Sequence, residues 1–206
     1  MKHINYIAIT LIILITSSLN AELIIEDFES YMDTNALHQD VFSFGSAAQA
    51  GRPSLAVGLG ENDTNAACFN LTWETGNNAN LCFTNLSPNT LNLSGYSEIT
   101  AFIYIEDYPG NSDSRGRSIP TLVKIAIEGQ DGTIWQTRSI KAEKPPVDSS
   151  YKLRFRLTPT AMERVEGSGS FINTISEIKN IRLRFENSKR PGFRQDGYID
   201  SIKAVQ

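Results

Sequence analysis

Residues 151–157 read Tyr-Lys-Leu-Arg-Phe-Arg-Leu, and residues 181–186 read Ile-Arg-Leu-Arg-Phe-Glu. Apolar and charged side chains alternate with a period of two in both, the pattern of a strand with one face buried and the other in water. Working outward, the same alternation predicts strands over Glu22 to Tyr31, with Phe28 pointing inward between Asp27 and Glu29, and over Ser54 to Leu59 after the Gly51-Arg-Pro53 turn. Ala66 to Trp73 and Asn80 to Thr84 read as a hairpin turning near Gly76-Asn77-Asn78. Glu98 to Glu106, Leu122 to Glu128, Thr133 to Ser139 after the Gln130-Asp-Gly132 turn, and Gly197 to Ala204 complete the set, with Ile172 to Ile178 as a short helical turn. Many short strands at this spacing predict an all-β, two-sheet antiparallel sandwich of the jelly-roll kind.

Composition agrees with that class. The chain has 206 residues with 14 Gly, 8 Pro and a formal charge of −4, and carries no basic excess of the kind nucleic acid requires. At the N-terminus Met1-Lys2-His3 precedes the apolar run Tyr6 to Ile15, followed by small or polar residues to Ala21. Charged, apolar and small segments in that order predict a secretory signal over residues 1–21, leaving one domain over 22–206 without a membrane span and a secreted or periplasmic destination. A single monomeric unit is expected, since no internal repeat or interdomain linker interrupts the mature chain.

Both cysteines, Cys68 and Cys82, lie in that domain, where an oxidising compartment favours pairing. Placed across the expected hairpin they would face each other, and closing a loop of that size contributes about 3 kcal/mol in the chain-entropy picture. A disulfide is therefore expected, with two reduced core cysteines as the alternative. Two cysteines and one mature histidine, His38, are too few for a Cys/His zinc cluster or a Ser-His-Asp triad. His38, in Ala36-Leu-His-Gln-Asp40, is assigned to a loop.

Several segments taken together resemble the noncatalytic carbohydrate-binding modules of the galactose-binding-like β-sandwich type. Ile25-Glu-Asp-Phe-Glu-Ser30 is similar to their first strand, Ser54-Leu-Ala-Val57 to their second, and Leu91-Asn-Leu-Ser-Gly-Tyr96 before Ile99 to Ile105 to the entry of a central strand. Ile178-Lys-Asn-Ile-Arg-Leu-Arg-Phe185 and Gly197-Tyr-Ile-Asp-Ser-Ile202 resemble the closing pair, although Asn92 stands where those modules more often have Asp. The resemblance implies a structural calcium where first and last strands meet. By position Glu29 and Asp200 would be its ligands, Asp27 a less secure one, with backbone carbonyls from the second-strand region; hard oxygen donors suit calcium. Solvated strand-end acids, or acids paired with Arg and Lys, are the alternative.

The resemblance implies a polysaccharide or oligosaccharide partner, which needs aromatic faces for stacking and polar forks for hydroxyls. Trp135 and Tyr104 are the leading pair, with Tyr108, Trp73 and Tyr151 as further exposable aromatics, although each serves a core equally well. Arg154 and Arg156 on one strand and Arg182 and Arg184 on another face away from their apolar neighbours. If the two strands share a sheet with Lys124 outward, they offer a guanidinium cluster suited to an acidic polysaccharide. Cross-strand pairing with Glu106, Glu128 and Glu186 is the competing and more economical reading. A small polysaccharide lyase or glycoside hydrolase would require two carboxylates about 5 to 10 Å apart on a groove, which nothing in the spacing of Glu74, Glu106, Glu128 and Glu186 fixes. An envelope adhesion or assembly protein is the third class, marked by a large contiguous apolar patch.

Overall fold

The computed structural model describes residues 21–45, 53–73, 78–84, 90–106, 108, 121–186 and 193–206. Among them twelve strands run in the order β1 (Glu22–Glu26), β2 (Val41–Phe44), β3 (Ser54–Ala56), β4 (Ala66–Trp73), β5 (Asn78–Phe83), β6 (Glu98–Ile105), β7 (Leu122–Gly129), β8 (Ile134–Thr137), β9 (Ser150–Arg156), β10 (Met162–Glu166), β11 (Ile178–Glu186) and β12 (Phe193–Val205). Helix α1 (Thr34–Asp40) precedes β2 and α2 (Phe171–Ser176) precedes β11. One sheet has the order β3-β4-β12-β6-β9, with β1 on the later part of β12; the other has the order β10-β8-β7-β11-β5-β2. Every pairing is antiparallel, and the chain passes repeatedly between the sheets, as in a jelly-roll sandwich.

Alternation sorts the side chains as the sequence predicts. Ile99, Ala101, Ile103 and Ile105 of β6 are buried against Val123, Ile125 and Ile127 of β7 and Ile181, Leu183 and Phe185 of β11 in one core. Phe69 of the first sheet meets Phe185 of the second with ring centroids 4.8 Å apart. Burying each such ring contributes about 1.5–3 kcal/mol. Helix α2 starts on Ser170, whose side chain accepts from the Asn173 N–H, and sinks Phe171 and Ile175 into the same core.

Three departures from the expected elements bear on the predicted residues. The first strand ends at Glu26 because Phe28 takes φ 60, a conformation side-chain-bearing residues seldom adopt, while its ring remains fully buried. Asp27 and Glu29 consequently lie in a turn, where Asp27 Oδ1 accepts from the Glu29 N–H at 3.2 Å, and not on one strand face. The segment holding His38 is helical: Asp33 caps α1 by accepting from the Ala36 N–H at 2.8 Å, and the His38 ring lies 2.7 Å from the Pro53 carbonyl oxygen.

The third departure is the hairpin. Strand β4 pairs with β3 and β12, and β5 pairs with β11 and β2, so the two belong to opposite sheets. Ala67, Phe69 and Leu71 approach the core from one side, Ala79, Leu81 and Phe83 from the other. Cys68 therefore lies on the outer face of the first sheet, in register with Ser54 and Tyr198, and Cys82 on the outer face of the second, in register with Arg182 and Phe42. Sheets packed about 10 Å apart put these positions beyond the roughly 7 Å that a disulfide spans between Cα atoms. Both thiols are free, which corrects the expected disulfide.

Candidate functional site

The outer face of the second sheet carries the densest set of groups suited to a sugar. Phe42 and Phe44 of the edge strand β2 are 42% and 38% exposed, with ring centroids 5.9 Å apart. Their orientation follows from β2, whose Val41 enters the core and so turns residues 42 and 44 outward. The Arg182 guanidinium lies over the Phe44 ring at 5.4 Å, a cation–π contact that holds both groups in place. Behind the aromatic margin, Asn80 stands between Phe44 and Arg184 in register, and Gln136 lies beyond Ala126.

Charges on this face are nearly balanced. Glu128 accepts from the Arg182 guanidinium and, at 3.1 Å, from the Asn180 amide. Glu186 lies 2.7 Å from Lys124 Nζ and 2.8 Å from Arg184 Nε. Arg184 Nη1 is 3.5 Å from Gln136 Oε1. The outcome is an ordered row of planar forks beside exposed rings, held by cross-strand pairing as the economical reading of the arginines supposed.

The other predicted residues are divided differently. Arg154 and Arg156 lie on β9 of the first sheet and so do not join Arg182 and Arg184 of β11; the single four-arginine face is corrected. Trp135 is opposite Ile127 and turns inward, its indole edge-on to Phe171 with centroids 5.3 Å apart, so it forms no groove with Tyr104. Tyr104 is on the outer face of the first sheet beside Tyr198, centroids 6.1 Å apart. The Tyr108 hydroxyl donates to Asp196 at 2.5 Å and reaches Glu106 at 3.2 Å, and the Arg194 guanidinium covers its ring at 5.1 Å. Burial works against the Asp196 charge, but hydrogen bonds from Arg194, Tyr108 and Asn70 outweigh it and hold the carboxyl below its ordinary range. Tyr151 packs against the core and donates to Glu143 at 3.0 Å. The Trp73 side chain, Glu74 and residues 1–20 fall outside the described residues.

Glu29 and Asp200 reach one and the same turn. Asp200, with no exposed surface, accepts from the Glu61 N–H at 2.9 Å and the Thr64 hydroxyl at 2.7 Å; Glu29 accepts from the Asn65 N–H at 2.5 Å. A Cβ at Gly60 would stand 2.4 Å from Asp200 Oδ2, so the turn closes over the carboxylate only with glycine there. Asp27 is spent on its own turn.

Phe42 and Phe44 were missed by sequence reasoning, which took the stretch around His38 for a loop. The signal was present in Val41-Phe-Ser-Phe44, a short strand-prone run with one inward apolar residue.

Comparison with solved structures finds β-sandwiches of the same fold. A family 11 carbohydrate-binding module from Clostridium thermocellum, solved with a β-1,3-1,4-mixed-linked tetrasaccharide, matches at a TM-score of 0.57 and 14% identity over 89% of this chain and 95% of the other. A non-crystalline-cellulose-specific module of family 28 matches at 0.56 and 11% identity, over 88% and 94%. The chain has the β-sandwich fold of carbohydrate-binding modules. An exo-β-agarase also matches, at 0.55 and 13% identity, over 89% of this chain but 25% of that enzyme. No protein-family model matches the sequence, and no curated protein is similar to it in sequence.

Proposed function

We propose that the protein is an exported, noncatalytic module that binds a polysaccharide on the outer face of the second sheet. The observation that carries this is the exposed Phe42–Phe44 pair with Arg182 stacked on it, next to Asn80, Arg184 and Gln136. Rigid rings stack on the apolar faces of pyranoses while amide and guanidinium forks meet their hydroxyls. Of the carboxylates on this face, Glu128 and Glu186 are each engaged by cations, which favours binding over glycosidic acid-base work, and Glu163 stands opposite Gln136 on the edge strand β10. Neighbours of the same fold that bind polysaccharide support the reading, and the charged, apolar and small segments of residues 1–21 support export.

The same proposal includes a structural calcium. Asp200 is a buried carboxylate whose described partners are neutral donors, and a buried anion without a cation is costly. Glu29 and Asp200 would hold the ion with carbonyls of the Glu61–Asn65 turn, and the ion would neutralise their charge while tying the start of the chain to its end.

The test is retention on columns of neutral and acidic polysaccharides, with reducing ends assayed in the eluate. Retention on one glycan class, weakened at least tenfold by Phe44→Ala and by Arg182→Ala and accompanied by no new reducing ends, is the expected result. Absence of retention on every glycan would overturn the proposal, and release of reducing ends would replace it with an enzyme.

A further inference from the structure

The remaining arginine pair has surroundings of a different kind. Arg154 and Arg156 line a cleft of about 200 Å³ together with Lys141, Glu143, Thr137 and Ala161, at the β9 edge of the sandwich. On the aromatic face every cation named above has a carboxylate, and Arg194 and Lys203 elsewhere have theirs in Asp196 and Glu22. Among the described residues Arg154, Arg156 and Lys141 have no ion pair. Glu98 stands across from Arg156 in the β6–β9 register without pairing to it, and Glu143 accepts from Tyr151 at 3.0 Å. Three cations without an ion pair and one carboxylate, Glu143, thus line one small cleft, an excess of positive charge in a chain whose formal charge is −4.

Like charges crowded round a concavity repel one another, and an anion relieves that repulsion. Residues 154 and 156 project on one side of their strand, about 7 Å apart, so both guanidiniums can fork onto the oxygens of one planar or tetrahedral anion. The volume lies below that of an ordinary ligand pocket and suits a single charged sugar residue. We infer that this cleft is a second binding site, separate from the aromatic face, that takes the carboxylate or sulfate group of an acidic polysaccharide. The Thr137 and Ala161 walls leave the charged groups as its main source of attraction, so selectivity is for charge and not for sugar stereochemistry.

This inference does not rest on the aromatic face, and the experiment keeps the two apart. Binding of the protein to dextran sulfate, alginate and unmodified dextran is measured by affinity electrophoresis at low and at high salt. The probes are the wild type, Arg154→Gln/Arg156→Gln, Phe44→Ala, and Arg164→Gln/Lys179→Gln as a control of equal charge. Expected are binding to an anionic polymer but not to dextran, a loss of at least tenfold at high salt, and a loss of at least tenfold in Arg154→Gln/Arg156→Gln at low salt, with the charge control unchanged; Phe44→Ala measures separately any share of the binding that the aromatic face contributes. Dextran sulfate alone identifies a sulfate ester and alginate alone a uronate. Equal binding by wild type and Arg154→Gln/Arg156→Gln, equal losses in the charge control, or no binding to either anionic polymer overturns the second site. Those results leave the aromatic face untouched, since its own test uses Phe44→Ala on the retaining glycan.

Discussion

Side chains on the two outer faces are held in states that chemistry can read. Burial pushes the Cys82 thiol up to about 11, and burial likewise raises Cys68. At pH 8 thiolate is scarce in the folded chain, so native protein should react with iodoacetamide several-fold more slowly than unfolded protein, with two alkylated thiols reached in denaturant. Intact mass after alkylation without reductant checks this; one cross-linked pair would refute the assignment of each cysteine to its own sheet. At Gly197 a Cβ would lie 2.4 Å from the Tyr104 carbonyl oxygen and 2.6 Å from Phe69 Cζ. Gly197→Ala should accordingly lower stability by about 1–3 kcal/mol in urea unfolding. An unchanged midpoint would mean that β6 and β12 are not packed as described.

Strand β12 shows what an element contributes. Its first part pairs with β4 and its last part with β1, and the register with β6 shifts between Asp200 and Lys203, where Ser201 takes φ 52. That irregularity directs Asp200 to the Glu61–Asn65 turn. If calcium sits there, ion at 100 times its dissociation constant stabilises the fold by about 2.7 kcal/mol. For a domain of this size the melting temperature should then rise by roughly 5–10 °C relative to chelator, and Asp200→Asn should abolish the response. A melting curve indifferent to chelator would remove calcium from the proposal and leave the sugar site standing. The sequence made Glu29 and Asp200 visible only through the resemblance. Alternation alone put Asp27 and Glu29 on a strand face, because local pattern does not announce the positive φ of Phe28 that ends the strand.

Over the whole molecule, tyrosines on several elements resist ionisation. Hydrogen bonding to Asp196 pushes Tyr108 up to about 12, and burial raises Tyr31, Tyr151 and Tyr198 above the ordinary 10.0. The folded chain keeps these phenols protonated at a pH where the unfolded chain releases them. The stability they contribute is therefore complete below about pH 10 and is lost as pH climbs toward 12. The melting temperature should fall across that interval, and less steeply in Tyr108→Phe; a flat profile would contradict the described contacts. By itself the sequence determined which side chains of most strands face inward, since a period of two is local and the apolar residues must leave water. It placed Leu183 and Phe185 on the core side of their strand, Arg182 and Arg184 outside, and the chain in the sandwich class. Only the tertiary structure decided which sheet each strand joins. Strands with the same alternation are locally interchangeable, and their pairing is fixed by contacts between residues far apart in the chain. That long-range choice separated Cys68 from Cys82 and Arg154 from Arg182, turned Trp135 inward, and set Phe44 beneath the Arg182 guanidinium.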